Sequence, residues 1–142
     1  MKRPLETLFA LLAFASPAAA AQVTVSDAWF RSLPAHLPAG GYFTASNAGR
    51  RDVAIIGAQS PACSSLMLHH SSNTGGMSGM AMVDSVTIPA GGTLSFTPGS
   101  YHLMCDNPKL VLGSKAPVTL RLSDGTLVVV GFMVRGADGK KL

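Results

Sequence analysis

Past residue 21 this chain never repeats its apolar residues at helical period, and that restricts its fold more than any other feature. Short runs alternate apolar and polar residues, and glycine, proline or asparagine ends nearly every one. The clearest is VTLRLSDGTLVVVGFMV, two alternating arms around Asp124 and Gly125, which reads as a hairpin. QVTVSDAWFR, GYFTASNAG, RDVAIIGAQS, SLMLHH and YHLM read as further strands, with two more around the turn PAGG. NPKLVLGSKAP reads as a short apolar strand between proline-bearing loops. SLPAHLPAGG and SSNTGG read as loop and turn, and GADGKKL as a polar tail. Many short strands with Gly/Pro turns predict an all-β sandwich or barrel, and 142 residues suit one domain.

The first 21 residues are of another kind. Lys2 and Arg3 precede the apolar run LFALLAFA, and small alanines follow it, which is the pattern of a secretory signal peptide. The run is too short to cross a bilayer. Cleavage is expected near Ala21, giving a leader over residues 1–21, a domain over 22–142, and a protein exported to a bacterial periplasm. Losing Lys2, Arg3 and Glu6 lowers the formal charge from +4 to +3. The remaining basic residues, among them Arg31, Arg50, Arg51, Lys109, Arg121, Arg135, Lys140 and Lys141, are scattered along the sequence. They form no nucleic-acid or membrane-binding run, and the charge suits solubility and docking to an acidic partner.

Chemistry concentrates between His69 and Met104, which contain three of the four histidines and four of the seven methionines. Ten residues separate His69 from Met80, twenty-one separate Met80 from His102, and one lies between His102 and Met104. Imidazole with thioether is a soft, neutral ligand set with no carboxylate, poorly suited to calcium or magnesium. Thioether sulfur selects Cu(I), so copper(I) is the expected ion. Strand alternation puts His102 and Met104 on one face and Leu103 and Cys105 on the other. Methionine clusters ordinarily fill cores. Around MSGMAMV, however, Gly75, Gly76 and Gly79 suggest an exposed loop whose thioethers are free to bind metal. His70, Met77 and Met82 are accessory candidates, and His36 reads as a solvated loop histidine.

Two cysteines, Cys63 and Cys105, bracket this stretch, and an oxidising compartment favours a disulfide between them over a role as copper ligands. The bridge would be worth about 3–4 kcal/mol on the chain-entropy model.

His69, Met80, His102 and Met104 resemble the signature of the periplasmic copper chaperones called PCu(A)C, with no insertion or deletion between ligands. VSDAWFR, AGGYFTASNAG, LMLHHSS, VTIPAGGTLSFTPGSYHLM and VTLRLSDGTLVVVGFMVRGA are similar too, so the resemblance spans nearly all of the chain after the leader. It implies a cupredoxin-like β-sandwich of the broader Ig-like kind, binding one Cu(I) near its surface. It also implies delivery of copper toward the Cu-A centre of cytochrome c oxidase, directly or with a Sco-type thiol protein. Cys63 and Cys105 lie outside the four-ligand signature.

Rival classes fit less well. A blue-copper carrier needs a cysteine ligand with a histidine soon after it, and no histidine follows Cys105. No acid–base or nucleophile constellation surrounds the histidines, so no enzyme activity is expected. A structural or adhesive sandwich would leave the four ligands as coincidence. Copper storage or resistance would use the same residues as delivery and stays open as the alternative. The chain is expected to act as a monomer, without nucleic acid and without stable membrane insertion.

Overall fold

The computed structural model describes Ala13 and residues 22–74 and 77–142; the leader expected before residue 22 otherwise lies outside the described residues. Ten strands follow in order: β1 Val23–Arg31, β2 Ala39–Asn47, β3 Val53–Gln59, β4 Ser65–Thr74 and β5 Met77–Met82. The remainder are β6 Val86–Ile88, β7 Thr93–Phe96, β8 Tyr101–Asp106, β9 Lys115–Leu122 and β10 Leu127–Arg135. One 3-10 turn, Pro34–His36, interrupts the β1–β2 connection. Hydrogen bonds link the strands in the order β5-β4-β8-β2-β1-β10-β9-β3-β6, and β7 pairs with the far part of β2. Every pairing is antiparallel except β1 with β10. Although β3 and β4 lie near opposite ends of this ladder, they pack together, so the sheet folds over on itself and encloses one core. The expected single-domain, cupredoxin-like β-sandwich is what the chain forms.

Alternation builds that core. Along β9, Ala116, Val118, Leu120 and Leu122 point inward while Lys115, Pro117 and Arg121 are exposed. At the centre Phe43 packs on Phe96 with ring centroids 4.4 Å apart, and on Phe132 at 5.8 Å; Phe30 meets Phe132 at 5.0 Å. Burying each such ring contributes roughly 1.5–3 kcal/mol.

A bulge in β1 changes which residues face in. Ser26 pairs with Thr44, yet the next pair is Trp29 with Tyr42, so Asp27 and Ala28 together oppose one residue. Asp27 adopts φ 52°, a left-handed conformation that aspartate tolerates better than most residues. The extra residue shifts the parity of the strand. Val23 and Val25 face the core before it, Phe30 faces the core after it, and Trp29 and Arg31 turn outward.

Three expectations fail. Ser71–Thr74 is strand, not turn, and Met77–Met82 is strand β5, not loop. The six residues of β5 pair in unbroken register with His69–Thr74, so backbone hydrogen bonding to the end of β4 overrides the weak strand preference of glycine and serine. Gly75 and Gly76 lie outside the described residues. The expected exposure of the thioethers does hold: Met77, Met80 and Met82 are 77, 61 and 66% exposed. The expected strand in NPKLVLGSKAP is absent from its apolar run KLVL as well, and only its last three residues are strand, at the start of β9. Val111 and Leu112 are exposed at a turn closed by the Ser114 N–H on the Val111 carbonyl.

Candidate metal centre

The site lies on the outer face of β5, β4, β8 and β2, on the far side of the sheet from the core. In β4, Leu66 and Leu68 are buried in the core, which leaves Met67, His69 and Ser71 on the opposite face. The same parity in β8 sends Leu103 and Cys105 inward and His102 and Met104 outward. Register then aligns the strands: His69 is directly opposite His102, and Met67 is directly opposite Met104. On the other side of β4, Met82 is opposite His69 and Met80 is opposite Ser71. One face therefore carries two imidazoles and four thioethers in adjoining rows.

Met77 and His70 belong to the reverse face. Met77 pairs with Thr74 and His70 with Ala81, out of phase with Met80, Met82 and His69. The His70 ring packs on Tyr101 at 4.5 Å, and Tyr101 stacks on Phe96 at 5.7 Å. His36 is exposed in the 3-10 turn between β1 and β2. Met67 was not singled out in the sequence. Its position two residues before His69 on an alternating strand was the signal that would have found it.

The two imidazoles meet edge to face, with centroids 5.6 Å apart and planes at 65°. His102 is only 4% exposed. Its Nδ1 lies 3.3 Å from the Ser100 carbonyl and 3.5 Å from Ser71 Oγ. Donation from Nδ1 to the carbonyl fixes the tautomer in which Nε2 carries the lone pair. That Nε2 is buried and bonds to nothing, and so is Nδ1 of His69. Leaving such a group unpaired costs about 1–3 kcal/mol each, a cost that a shared cation would remove. Burial holds the His102 pKa below the ordinary imidazole value, and the proximity of His69 and His70 acts in the same direction. The hydrogen bond to Ser100 opposes them without prevailing. His102 is therefore kept neutral, the form that ligates metal.

Among the described residues no three His, Cys, Asp or Glu side chains converge to hold a metal. The soft donors that share this face with the two nitrogens are the methionine sulfurs. The residues present fit a soft monovalent cation and fit a hard divalent one poorly.

Gly40 and Gly41 let the strands beneath the site come together. A Cβ on Gly41 would lie 2.9 Å from Phe30 Cε1 and 3.1 Å from Leu103 Cβ, on the core side. Gly40 is opposite Met104, and a Cβ there would lie 2.5 Å from the Tyr42 hydroxyl oxygen, whose ring occupies that space on the outer side. Behind Met104, Cys105 is bonded to Cys63, with the Cα atoms 5.3 Å apart.

Fold and face together define a β-sandwich with histidines and methionines gathered on one outer face. The chain belongs to the family described as "Putative lipoprotein LpqE-like", whose model matches residues 23–134. It is 37% identical over 120 residues to "Putative lipoprotein Lxx21020" of Leifsonia xyli subsp. xyli, covering 82% of this chain and 72% of that protein. Among solved structures it is similar to apo-DR1885 from Deinococcus radiodurans, at 32% identity and TM-score 0.62, covering 96% of this chain and 95% of that one. The Cu(I) form of DR1885 matches at the same identity and TM-score over 76% of this chain and 74% of that one. The copper-bound PCuAC domain from PmoF2 shares the fold at TM-score 0.69 and 20% identity, covering 84% of this chain and 97% of that one.

Proposed function

We propose that this protein is an exported Cu(I) carrier. It holds one copper ion through His69, Met80, His102 and Met104, with Met82 beside them, and releases it by ligand exchange. The observation that carries this reading is the pair of buried, unpartnered imidazole nitrogens on a face otherwise lined with thioethers. Similarity to DR1885, which has been solved with Cu(I), supports the choice of ion. Thioethers carry no proton to lose and form no disulfides, so they keep copper in an oxidising compartment where thiolates would be consumed. Exposed methionines on an edge strand can be displaced one at a time by an acceptor's ligands, with the two imidazoles as the firmer anchor.

The acceptor in this reading is the Cu-A centre of cytochrome c oxidase, reached directly or through a Sco-type thiol protein. Export is supported by the N-terminal leader pattern and by the lipoprotein names of the relatives. Cys63 and Cys105 are joined to each other, so neither sulfur is free to carry a lipid.

Copper content and X-ray absorption of the purified protein under reducing conditions test the site. One copper per chain with mixed nitrogen and sulfur ligation is expected; failure to retain equimolar copper against a Cu(I) chelator would overturn the assignment. Deleting the gene tests the destination. Loss of oxidase activity at low copper is expected, whereas loss of copper tolerance with normal oxidase would make the protein a copper store.

A further inference from the structure

We propose that Arg31 and Arg135, gathered on Trp29 next to the metal centre, form a docking site for carboxylates on an acidic acceptor protein; that the acceptor takes copper rests on the proposed function. Distant in sequence, the two arginines are directly opposite each other because β1 and β10 pair in parallel. Like charges placed across neighbouring strands repel. The Arg135 Cζ lies 4.8 Å from the centroid of the Trp29 ring, and the Arg31 Cζ lies 5.5 Å from Trp29 and 5.6 Å from Tyr42. One indole thus gathers both guanidiniums. Stacking on an aromatic face eases the repulsion but neutralises neither charge.

Nor does any carboxylate among the described residues. The ion pair found among the described residues is Lys140 with Asp138, at 3.9 Å, and it leaves both arginines without an acid. Arg135 donates to the Gly139 carbonyl at 3.4 Å. Nε of Arg31 is buried and has no acceptor among the described residues. The terminal N–H groups of a planar guanidinium match the two oxygens of a carboxylate, which would also offset the repulsion between the like charges.

Position gives this pair its role. Gly40 stands opposite Arg31 on one side and opposite Met104 on the other. Arg31 is therefore two strand spacings, roughly 10 Å, from the thioether strand. A partner seated on the arginines brings its own ligands over Met104 and His102. Such a partner is a protein rather than a lipid headgroup, because it must also offer ligands to the copper.

Trp29 is the only tryptophan of the chain, so its fluorescence reports on this site. The copper-free protein is titrated with a polyglutamate peptide, with a polyglutamine peptide, and with phosphatidylglycerol vesicles. Arg31 Nε–H is followed by NMR in parallel. Polyglutamate alone should shift both signals, with an effect that high salt removes. Arg31→Gln combined with Arg135→Gln should weaken binding at least tenfold, and Lys140→Gln with Lys141→Gln should leave it unchanged. No response to polyglutamate, an equal loss on removing the lysines, or a response to vesicles alone would overturn the proposal. If the arginine variant does not fold, the wild-type Arg31 resonance decides the matter. Because copper is absent throughout, the outcome is independent of whether the metal centre is correctly assigned.

Discussion

Met82 stands directly across from His69, and His69 stands directly across from His102, so three side chains with soft or imidazole donors share one row over three strands. Met80 lies one step along the same face, opposite Ser71, whose hydroxyl is 3.5 Å from His102 Nδ1. Met77 is out of phase with both, on the reverse face of β5. Spacing in the sequence singled out Met80; register puts Met82 on the same face and Met77 on the other.

Competition against a Cu(I)-selective chelator should separate the three. Met82→Ala is expected to weaken binding by about tenfold, or about 1.4 kcal/mol, and Met80→Ala by a comparable amount. Met77→Ala should cost less than about threefold. Since all three methionines are exposed, none of these changes should lower stability appreciably, and circular dichroism checks that first. Equal losses from Met77→Ala and Met82→Ala would mean that β5 does not hold its register when copper binds.

His102 should be the anchor. It is the more buried imidazole, its tautomer is set by Ser100, and its free Nε2 has no other partner. We expect His102→Ala to weaken Cu(I) binding more than any methionine substitution, and Met104→Ala clearly but less. Ser71→Ala should change affinity only a few-fold, because the main fixing bond to Nδ1 comes from the backbone. If Ser71→Ala matched His102→Ala, the hydroxyl would be acting at the metal itself.

The same burial predicts how the copper-free protein responds to acid. The His102 pKa is lowered in the folded state, chiefly by desolvation, from an ordinary value near 6.5. Between the folded and unfolded values the unfolded chain binds more protons, so stability rises with pH across that window. The contribution is fully present above about pH 6.5 and is lost as pH falls through the folded pKa. Urea midpoints measured between pH 7.5 and roughly 5 should therefore decline, and the decline should be smaller in His102→Gln. A midpoint that rose on acidification would contradict a neutral, buried His102.

What was legible in the sequence was legible because it is local. The hairpin of β9 and β10 follows from alternation around Asp124 and Gly125, and the shared face of His102 and Met104 follows from a two-residue period. Met77–Met82 was misread because glycines weaken strand preference, while the register with Ser71–Thr74 that overrides it depends on a partner strand. Lys109–Leu112 was misread for the converse reason, an apolar run in which Leu110 packs on the core without strand pairing while Val111 and Leu112 stay exposed. The Arg31–Arg135 pair could not be read at all. It depends on the parallel pairing of the first strand with the last, and on the parity shift at Asp27 that turns Arg31 outward.

The bond between Cys63 and Cys105 ties the segment before β4 to the strand that carries His102 and Met104. Cys105 is fully buried beside Leu66 and Ala39, its register partners, so it anchors β8 from the core side while Met104 faces out. Closing a loop with a sequence separation of 42 stabilises by about 4 kcal/mol on the chain-entropy model. In a domain of this size that corresponds to roughly 10–20 °C in melting temperature. Thiol titration of the denatured, unreduced protein should find no free thiol, and reduction should lower the melting temperature by about that amount. Cys63→Ala with Cys105→Ala should reproduce the drop yet still bind Cu(I), because neither sulfur lies on the metal-binding face. Loss of copper from a variant that remains folded would instead put a cysteine among the ligands.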